Sequence, residues 1–180
     1  MTRFFDALPV PLGGSLILSA QPASQGPLVQ AVAAYRAAGA RLVVSLLPEG
    51  EAIDHGLHTL GAACTGAGLT WARCPIDDYA APGSEFERNW TSVAPLIHAL
   101  LDKGEGVAMH CRAGLGRTGT VAARILIERG LPWRQAMACV RLARPGAIET
   151  PAQEAYLEGL AAASMLCVTQ RQGAHGVEIR

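Results

Sequence analysis

A cysteine and an arginine six positions apart are the residues of this sequence whose types and spacing most directly allow chemistry. Cys111 and Arg117 enclose five residues, which are Arg112, Ala113, Gly114, Leu115 and Gly116. The two glycines permit backbone angles at which successive amides turn toward one anion. A guanidinium offers a planar fork to two phosphate oxygens, and the amides and a following helix dipole favour the thiolate form of Cys111. The segment therefore predicts phosphoryl transfer onto sulfur, with phosphate or a similar oxyanion held in the loop.

A buried cysteine beside an ordinary strand-to-helix turn is the structural alternative, because free cysteines are usually small core residues. Against it, an apolar strand, His110, Cys111, a glycine loop, Arg117 and a helix occur here in that order. This combination favours the catalytic interpretation.

The elements that must position this loop alternate between strands and helices. Strands are predicted at Ser15–Ser19, Arg41–Leu47, Leu69–Ile76 and Gly106–His110. Helices are predicted at Leu28–Ala38, Ile53–Ala67, Ser84–Asp102, Thr118–Arg129, from Pro132 to near Arg144, and from Thr150 to about Ala163. The alternation predicts an α/β domain with a mostly parallel sheet of four to five strands flanked by helices. Ligand sites in such sheets lie at the carboxyl ends of the strands.

Length and composition indicate one domain, predicted over residues 1–166 and followed by a tail at 167–180. Half of the 180 residues are apolar and 17% are charged, which suffices for a sizeable core. Fifteen basic residues balance fifteen acidic ones, which argues against nucleic-acid binding and against a polybasic membrane anchor. No apolar run reaches the length of a membrane span.

The five cysteines form no spacing typical of a metal site or a disulfide framework. They are Cys64, Cys74, Cys111, Cys139 and Cys167. We therefore expect no metal or other cofactor and a reducing compartment. The apolar stretch after Arg3 is interrupted by Asp6 and Pro9, which is unlike a signal peptide, so a cytoplasmic location is expected.

The segment HCRAGLGRTG resembles the HCx5R[ST] signature of the protein tyrosine phosphatase superfamily. It is especially similar to the Cdc14-like and kinase-associated-phosphatase branch of the dual-specificity enzymes, and the resemblance extends roughly from Ser15 to Ala163. It implies that Cys111 forms a phosphocysteine intermediate, that Arg117 binds the phosphate and that the Thr118 hydroxyl helps the cysteine leave. His110 would orient and electrostatically support the thiolate, unless it is a strand-end histidine bonded to backbone.

The resemblance also implies a proton donor, which an alkoxide or phenoxide leaving group needs. The segment from Pro75 to Pro82 is similar to a PI-x-D-x-x-x-P motif and places Asp78 in the acid position. Asp77 is the alternative donor, and both could instead be solvated loop carboxylates.

Further residues are assigned with their alternatives open. Gln153 corresponds to a water-positioning glutamine, but Thr150-x-x-Gln153 is also a capping box. Arg112 could favour acidic or multiply phosphorylated substrates, or could be a solvated side chain. Leu115 stands where phosphoinositide-specific relatives usually carry a basic residue, which disfavours a lipid substrate.

The predicted activity is hydrolysis of phosphomonoesters in a phosphorylated protein or peptide; phosphotyrosine is expected as a substrate, and phosphoserine and phosphothreonine stay open. A sulfurtransferase or arsenate reductase also uses a cysteine in an anion loop, and a pseudophosphatase would bind phosphoproteins without cleaving them. Because the cysteine, the arginine and the candidate acid are all present, the phosphatase is favoured. The physiological substrate and the oligomeric state stay open.

Overall fold

Four parallel strands and one antiparallel edge strand form the sheet that carries the candidate site. The computed structural model describes residues 5–11 and 13–173, with side-chain surroundings for all of these except residues 25 and 163–173. Within them the strands are β1 Phe5–Pro9, β2 Ser15–Ser19, β3 Ala40–Ser45, β4 Thr70–Arg73 and β5 Gly106–His110. Their order is β1-β2-β5-β3-β4; β1 pairs antiparallel with β2, and the other pairs are parallel. The predicted α/β class and mostly parallel sheet are confirmed.

The middle residues of β2, β3 and β5 are continuously apolar and do not alternate between apolar and polar. Leu16–Leu18 in β2, Leu42–Val44 in β3 and Val107–Met109 in β5 are fully buried. Such continuous runs are typical of strands that are covered on both faces by helices. The parallel strands β2, β3, β4 and β5 all end at the same edge of the sheet. Because their central residues are packed in the core, the core fixes the position of this edge.

Seven α-helices flank the sheet within the described residues. They are α1 Leu28–Ala37, α2 Glu49–Asp54, α3 Leu60–Gly66, α4 Ser84–Asp102, α5 Gly116–Glu128, α6 Trp133–Ala143 and α7 Pro151–Gly173, with a short 3₁₀ helix at Pro22–Gln25. Helix α4 packs against β5, and α5 packs against β2, α6 and α7. No helix among the described residues is long and apolar enough to cross a membrane.

Several predicted boundaries were wrong for local reasons. The helix predicted at Ile53–Ala67 is two helices, because Gly56 has a φ of +71° and ends α2 with a left-handed residue. Helix α2 also begins earlier, at Glu49, directly after Pro48. Strand β4 stops at Arg73, shortly before Pro75, which has no N–H to donate.

The ends of the chain also differ from the prediction. Strand β1 was not predicted. It is a short edge strand, and its partly exposed residues show little alternation between buried and exposed positions. The last helix continues to Gly173 rather than ending near Ala163. The division at residue 166 stays a prediction, although α7 crosses it.

Ser84 and Glu87 have the spacing of a capping box, but this box does not form. Helix α4 is preceded by Gly83, and no side chain caps its first turn. The Glu87 carboxylate instead accepts hydrogen bonds from Arg124 and from the Tyr156 hydroxyl, at 2.6 and 2.7 Å. A tertiary network has therefore replaced the local contact.

Candidate active site

The loop between β5 and α5 wraps around the Cys111 thiol. Cys111 is 2% exposed, and the Gly114 N–H donates a hydrogen bond to its Sγ at 3.2 Å. Gly114 has a φ of +73°, and a Cβ built there would lie 2.3 Å from the Ser19 carbonyl oxygen. A side chain at this position would therefore be excluded both by backbone angle and by space.

Arg144 holds the outer face of the loop. Its Nε donates to the Gly114 carbonyl at 2.6 Å and its Nη2 to the Ala113 carbonyl at 2.9 Å. Its Nη1 is paired with Asp6 of β1 at 2.7 Å. Because these carbonyls are bonded on the outside, the loop can present its amides to the inside. From sequence, Arg144 was expected only near the end of a helix, and this contact was not predicted.

Arg117 is nearly buried, and both of its terminal nitrogens are engaged. Nη1 donates to Glu51 Oε2 at 2.7 Å and to the Ile76 carbonyl at 3.2 Å. Nη2 donates to Glu51 Oε1 at 2.9 Å and lies 2.9 Å from Asp78 Oδ1. Glu51 thus makes a two-bond pair with the guanidinium, the geometry in which arginine and carboxylate bind most strongly.

These contacts keep both partners charged. The hydrogen bonds from Arg117 lower the pKa of Glu51 below its ordinary value of 4.5. Burial disfavours the charged guanidinium, but the hydrogen bonds with Glu51 and the charges of Cys111 and Asp78 raise the pKa of Arg117 above its ordinary value. Glu51 was missed from sequence; its one signal is its place just after β3, at the carboxyl edge of the sheet.

Asp78, rather than Asp77, faces Cys111. Asp78 reaches Arg117, lies 3.8 Å from Arg112 through Oδ2, and accepts the Tyr79 N–H at 3.1 Å. Asp77 lines a different cavity of about 770 Å³, which it shares with Arg73 and the first turn of α4. The register that places Asp78 in the acid position therefore agrees with the geometry, while its role as donor stays a prediction.

His110 is fully buried and bonded at both ring nitrogens. Nε2 lies 2.8 Å from Ser45 Oγ, and Nδ1 lies 3.3 Å from the Cys111 carbonyl oxygen. Since a carbonyl only accepts, Nδ1 carries the proton and Nε2 accepts from Ser45, which itself accepts from Trp71 Nε1 at 2.9 Å. Burial lowers the pKa of His110 to about 4, so the imidazole is neutral at neutral pH. His110 can therefore orient the loop at Cys111, but it does not support the thiolate with a positive charge.

Thr118 lies behind the loop and is fully buried. Among the described residues, its Oγ1 has no hydrogen-bond partner. A buried hydroxyl without a partner is costly, so an acceptor that forms during the reaction would remove this penalty. The departing Cys111 sulfur is such an acceptor, and that role stays a prediction.

The first turn of α7 closes the far side of the site. Gln153 is fully buried. Its Oε1 accepts the Thr150 N–H at 3.3 Å and the Glu149 N–H at 2.9 Å, and its backbone N–H donates to Thr150 Oγ1 at 3.2 Å. The capping box therefore forms. Its Nε2 also donates to the Ala80 carbonyl at 3.2 Å, which holds the Asp78 loop. The water-positioning role of Gln153 stays a prediction.

Glu149 lines the pocket, although no role was predicted for it from sequence. Its Oε2 accepts the Gly116 N–H at 2.8 Å. This amide belongs to the predicted phosphate cradle, so a bound oxyanion competes with the Glu149 carboxylate for it. A Cβ at Gly116 would lie 2.5 Å from that carboxylate, so a side chain there would displace Glu149.

One pocket of about 280 Å³ gathers most of the predicted residues. Its lining consists of Asp78, Tyr79, Cys111, Arg112, Ala113, Arg117, Glu149 and Gln153. Gly114, Gly116 and the half-buried Leu115 shape the loop, and His110 and Thr118 support it from behind. The two cations can bind an oxyanion, the cysteine can attack it, and a carboxyl group can transfer a proton.

The other cysteines that the structure describes lie apart from this pocket. Cys64 and Cys74 are buried, and burial raises the pKa of the Cys64 thiol to about 11 and that of Cys74 to about 12. Cys139, in contrast to the usual burial of free cysteines, is exposed on α6. Among the described residues, no cluster of three histidine, cysteine or acidic side chains could hold a metal ion.

Comparisons with known proteins agree with this geometry. A family model described as "Polymorphic toxin system, DSP-PTPase phosphatase" matches residues 20–131. Protein tyrosine phosphatase type IVA 3 of Mus musculus is 40% identical over 93 residues, which are 51% of this chain and 51% of that protein. The chain thus spans about half the length of the curated relatives it matches.

Solved structures share the fold over most of the chain. Tk-PTP in its active form is 29% identical with a TM-score of 0.68, covering 87% of this chain and 97% of that one. Kinase associated phosphatase, with its catalytic-site cysteine replaced by serine, is 21% identical with a TM-score of 0.75, covering 88% of this chain and 96% of that one. The latter likeness concerns the fold alone.

Proposed function

Since the chain belongs to the DSP-PTPase phosphatase family of polymorphic toxin systems, we propose that it hydrolyses phosphomonoesters through a phosphocysteine intermediate. Membership confirms the resemblance that the loop sequence indicated. The observation that carries the proposal is the convergence of Cys111, Arg117 and Asp78 on one pocket. These groups supply a nucleophile, an anion site and a proton donor, which the reaction needs together.

The first step is attack of the Cys111 thiolate on phosphorus. The sulfur–phosphorus bond forms as the bond from phosphorus to the ester oxygen breaks. The contact from the Gly114 N–H supports the thiolate before attack. Loop amides then stabilise the charge on the phosphoryl oxygens.

Arg117 binds the phosphate with the guanidinium N–H groups that do not bond Glu51. Both hydrogens of Nη1 are used, by Glu51 and by the Ile76 carbonyl. Nη2 has one hydrogen on Glu51 and directs the other at Asp78. The phosphate therefore replaces Asp78 at Nη2 and adds a bond to Nε.

This exchange prepares the acid. In the unliganded site Asp78 is paired with Arg117. A phosphate that takes over Nη2 releases the Asp78 carboxyl group from this pair, so that in its protonated form it can face the ester oxygen. Asp78 then gives its proton to the ester oxygen as the alcohol or phenol leaves.

The second step regenerates the enzyme. Asp78, now a carboxylate, takes a proton from a water molecule that attacks the phosphocysteine. The phosphorus–sulfur bond breaks, inorganic phosphate leaves, and the Thr118 hydroxyl donates to the returning thiolate. Gln153 stands in the pocket wall, where it can orient this water.

We infer that the substrates are phosphorylated proteins or peptides. Arg112 is 63% exposed at the pocket rim, which suits an acidic group next to the phosphorylated residue. A reducing compartment such as the cytoplasm suits a thiolate nucleophile.

Hydrolysis of an aryl phosphate by the purified chain tests the proposal. Cys111→Ser should abolish turnover while phosphate or tungstate still binds, because the loop amides and Arg117 remain. Cys139→Ser is the matched control, since this cysteine is exposed on α6, and it should keep wild-type activity. Turnover near wild type in Cys111→Ser would refute the mechanism. A thiosulfate–cyanide assay in parallel distinguishes a sulfurtransferase.

A further inference from the structure

Tyr79, next to the candidate acid, has a backbone conformation that a bulky residue rarely adopts. Its φ is +56°. The Ala80 N–H donates to the Asp77 carbonyl at 3.1 Å, so Tyr79 is the third residue of a four-residue turn. Turns with positive φ at this position favour glycine or asparagine, and for a tyrosine the conformation is strained.

The contacts of Tyr79 within the fold do not require an aromatic ring. Tyr79 is 65% exposed and is not among the residues that pack against the core. The Tyr79 N–H bonds Asp78 Oδ1, and its carbonyl accepts from Thr150 Oγ1 at 3.2 Å. Both bonds use backbone atoms, so a glycine would make them without strain. The strain therefore points to a use of the side chain outside the fold.

The position of Tyr79 indicates what that use is. It lines the 280 Å³ pocket with Cys111 and Arg117, and its high exposure places it at the mouth. The phenyl ring of phosphotyrosine separates the phosphate from the peptide, so a phosphate seated in the loop puts that ring at the mouth too. Because the Tyr79 backbone is bonded on both sides, little backbone ordering is needed before its ring can make contact.

We propose that Tyr79 is a specificity-determining residue that stacks against the aromatic ring of the substrate, so that this pocket favours aryl over alkyl phosphate esters. The proposal rests on the proposed phosphatase function. Contacts between aromatic rings contribute about 0.5–1.5 kcal/mol, which corresponds to roughly twofold to twelvefold in affinity.

The test compares two peptides that differ only in carrying phosphotyrosine or phosphoserine. Tyr79→Gly and Tyr79→Asn both accept the positive φ without a ring. Each should lower the phosphotyrosine-to-phosphoserine ratio of kcat/KM by about threefold to tenfold, mainly through KM. Tyr79→Phe keeps the ring and should keep the ratio within about twofold. The melting temperature of Tyr79→Asn should stay level or rise, because strain is removed.

Three results would overturn the inference. The first is an unchanged ratio in both ringless variants. The second is an equal loss on both peptides with an altered alkaline limb of the pH profile, which would make Tyr79 a positioning residue for Asp78. The third is a melting temperature several degrees lower in Tyr79→Asn, which would make the ring structural.

A binding measurement separates this inference from the proposed function. Phenylphosphonate and propylphosphonate carry no ester bond to phosphorus, so their affinities can be measured whether or not the enzyme turns over. Wild type should bind the phenyl compound more tightly, and Tyr79→Gly should lose that preference. Equal preferences in the two proteins would refute the role of Tyr79. A wild type that hydrolyses no phosphate ester would refute the proposed function instead.

Discussion

Replacing Glu51 by glutamine should separate the orientation of Arg117 from its charge. Glu51 holds both terminal nitrogens of Arg117, at 2.7 and 2.9 Å. Glutamine keeps one acceptor oxygen, so one bond survives, while its NH₂ group faces an arginine N–H. Hydrogen bonds to charged groups contribute about 1.5–3 kcal/mol, and the Glu51 side chain is only 22% exposed, so little of this is screened.

We take about 2 kcal/mol as the interaction free energy that is lost with this hydrogen bond. If the loss is fully felt in the transition state, kcat/KM should decrease roughly thirtyfold. The free energy of unfolding should fall by a similar amount, because Arg117 is 2% exposed and keeps its charge. Arg117→Lys should be more severe, about a hundredfold or more, since an ammonium cannot reproduce the planar fork.

Steady-state kinetics on an aryl phosphate and urea unfolding measure the two effects. Glu49→Gln on the same helix is the matched control: its carboxylate is 74% exposed and 3.6 Å from Arg73, a pair expected to contribute little. If Glu51→Gln stays within threefold of wild type, as Glu49→Gln should, the phosphate-binding fork does not depend on Glu51 and our reasoning fails.

Two further predictions concern protonation. Asp78→Asn should flatten the alkaline limb of the kcat/KM profile and slow substrates with poor leaving groups most, whereas Asp77→Asn, in the other cavity, should do neither; the reverse pattern would assign the acid to Asp77. Burial lowers the pKa of His110 from 6.5 to about 4, so between these pH values the unfolded chain binds a proton that the folded chain does not. Stability present above pH 6.5 should therefore be lost progressively toward pH 4, by roughly 3 kcal/mol. Urea unfolding of His110→Gln should show a correspondingly weaker pH dependence; an identical dependence in both proteins would contradict the assignment.

The parts of the site that were predictable from sequence are contiguous in the chain. The loop from Cys111 to Arg117 carries its nucleophile, amides and arginine within one turn, and β5 ends where the apolar run ends at His110. Strand β2 and helix α4 likewise lie at their predicted bounds. Local composition decides these elements, so one sequence suffices.

The unpredicted contacts join residues that are distant in sequence. Glu51 pairs with Arg117 across 66 positions, and Arg144 reaches Gly114 across 30. The sequence around an acidic or basic residue does not reveal such a partner. A carboxylate at the surface and a carboxylate in a buried ion pair occur in similar local sequences. Glu87 shows the converse: its spacing from Ser84 would allow a local cap, but its carboxylate bonds Arg124 instead.

The bond between Arg144 and Asp6 has a consequence for the dynamics of the loop. Asp6 lies on β1, an edge strand that has a neighbour on one side only, 138 positions before Arg144. Edge elements detach by local opening at a lower free energy than the core. Each such opening would release Arg144 and with it the carbonyls of Ala113 and Gly114. We therefore expect the fraction of molecules with a catalytically competent loop to depend on how often β1 is docked. This fraction should decline on warming before the core itself unfolds.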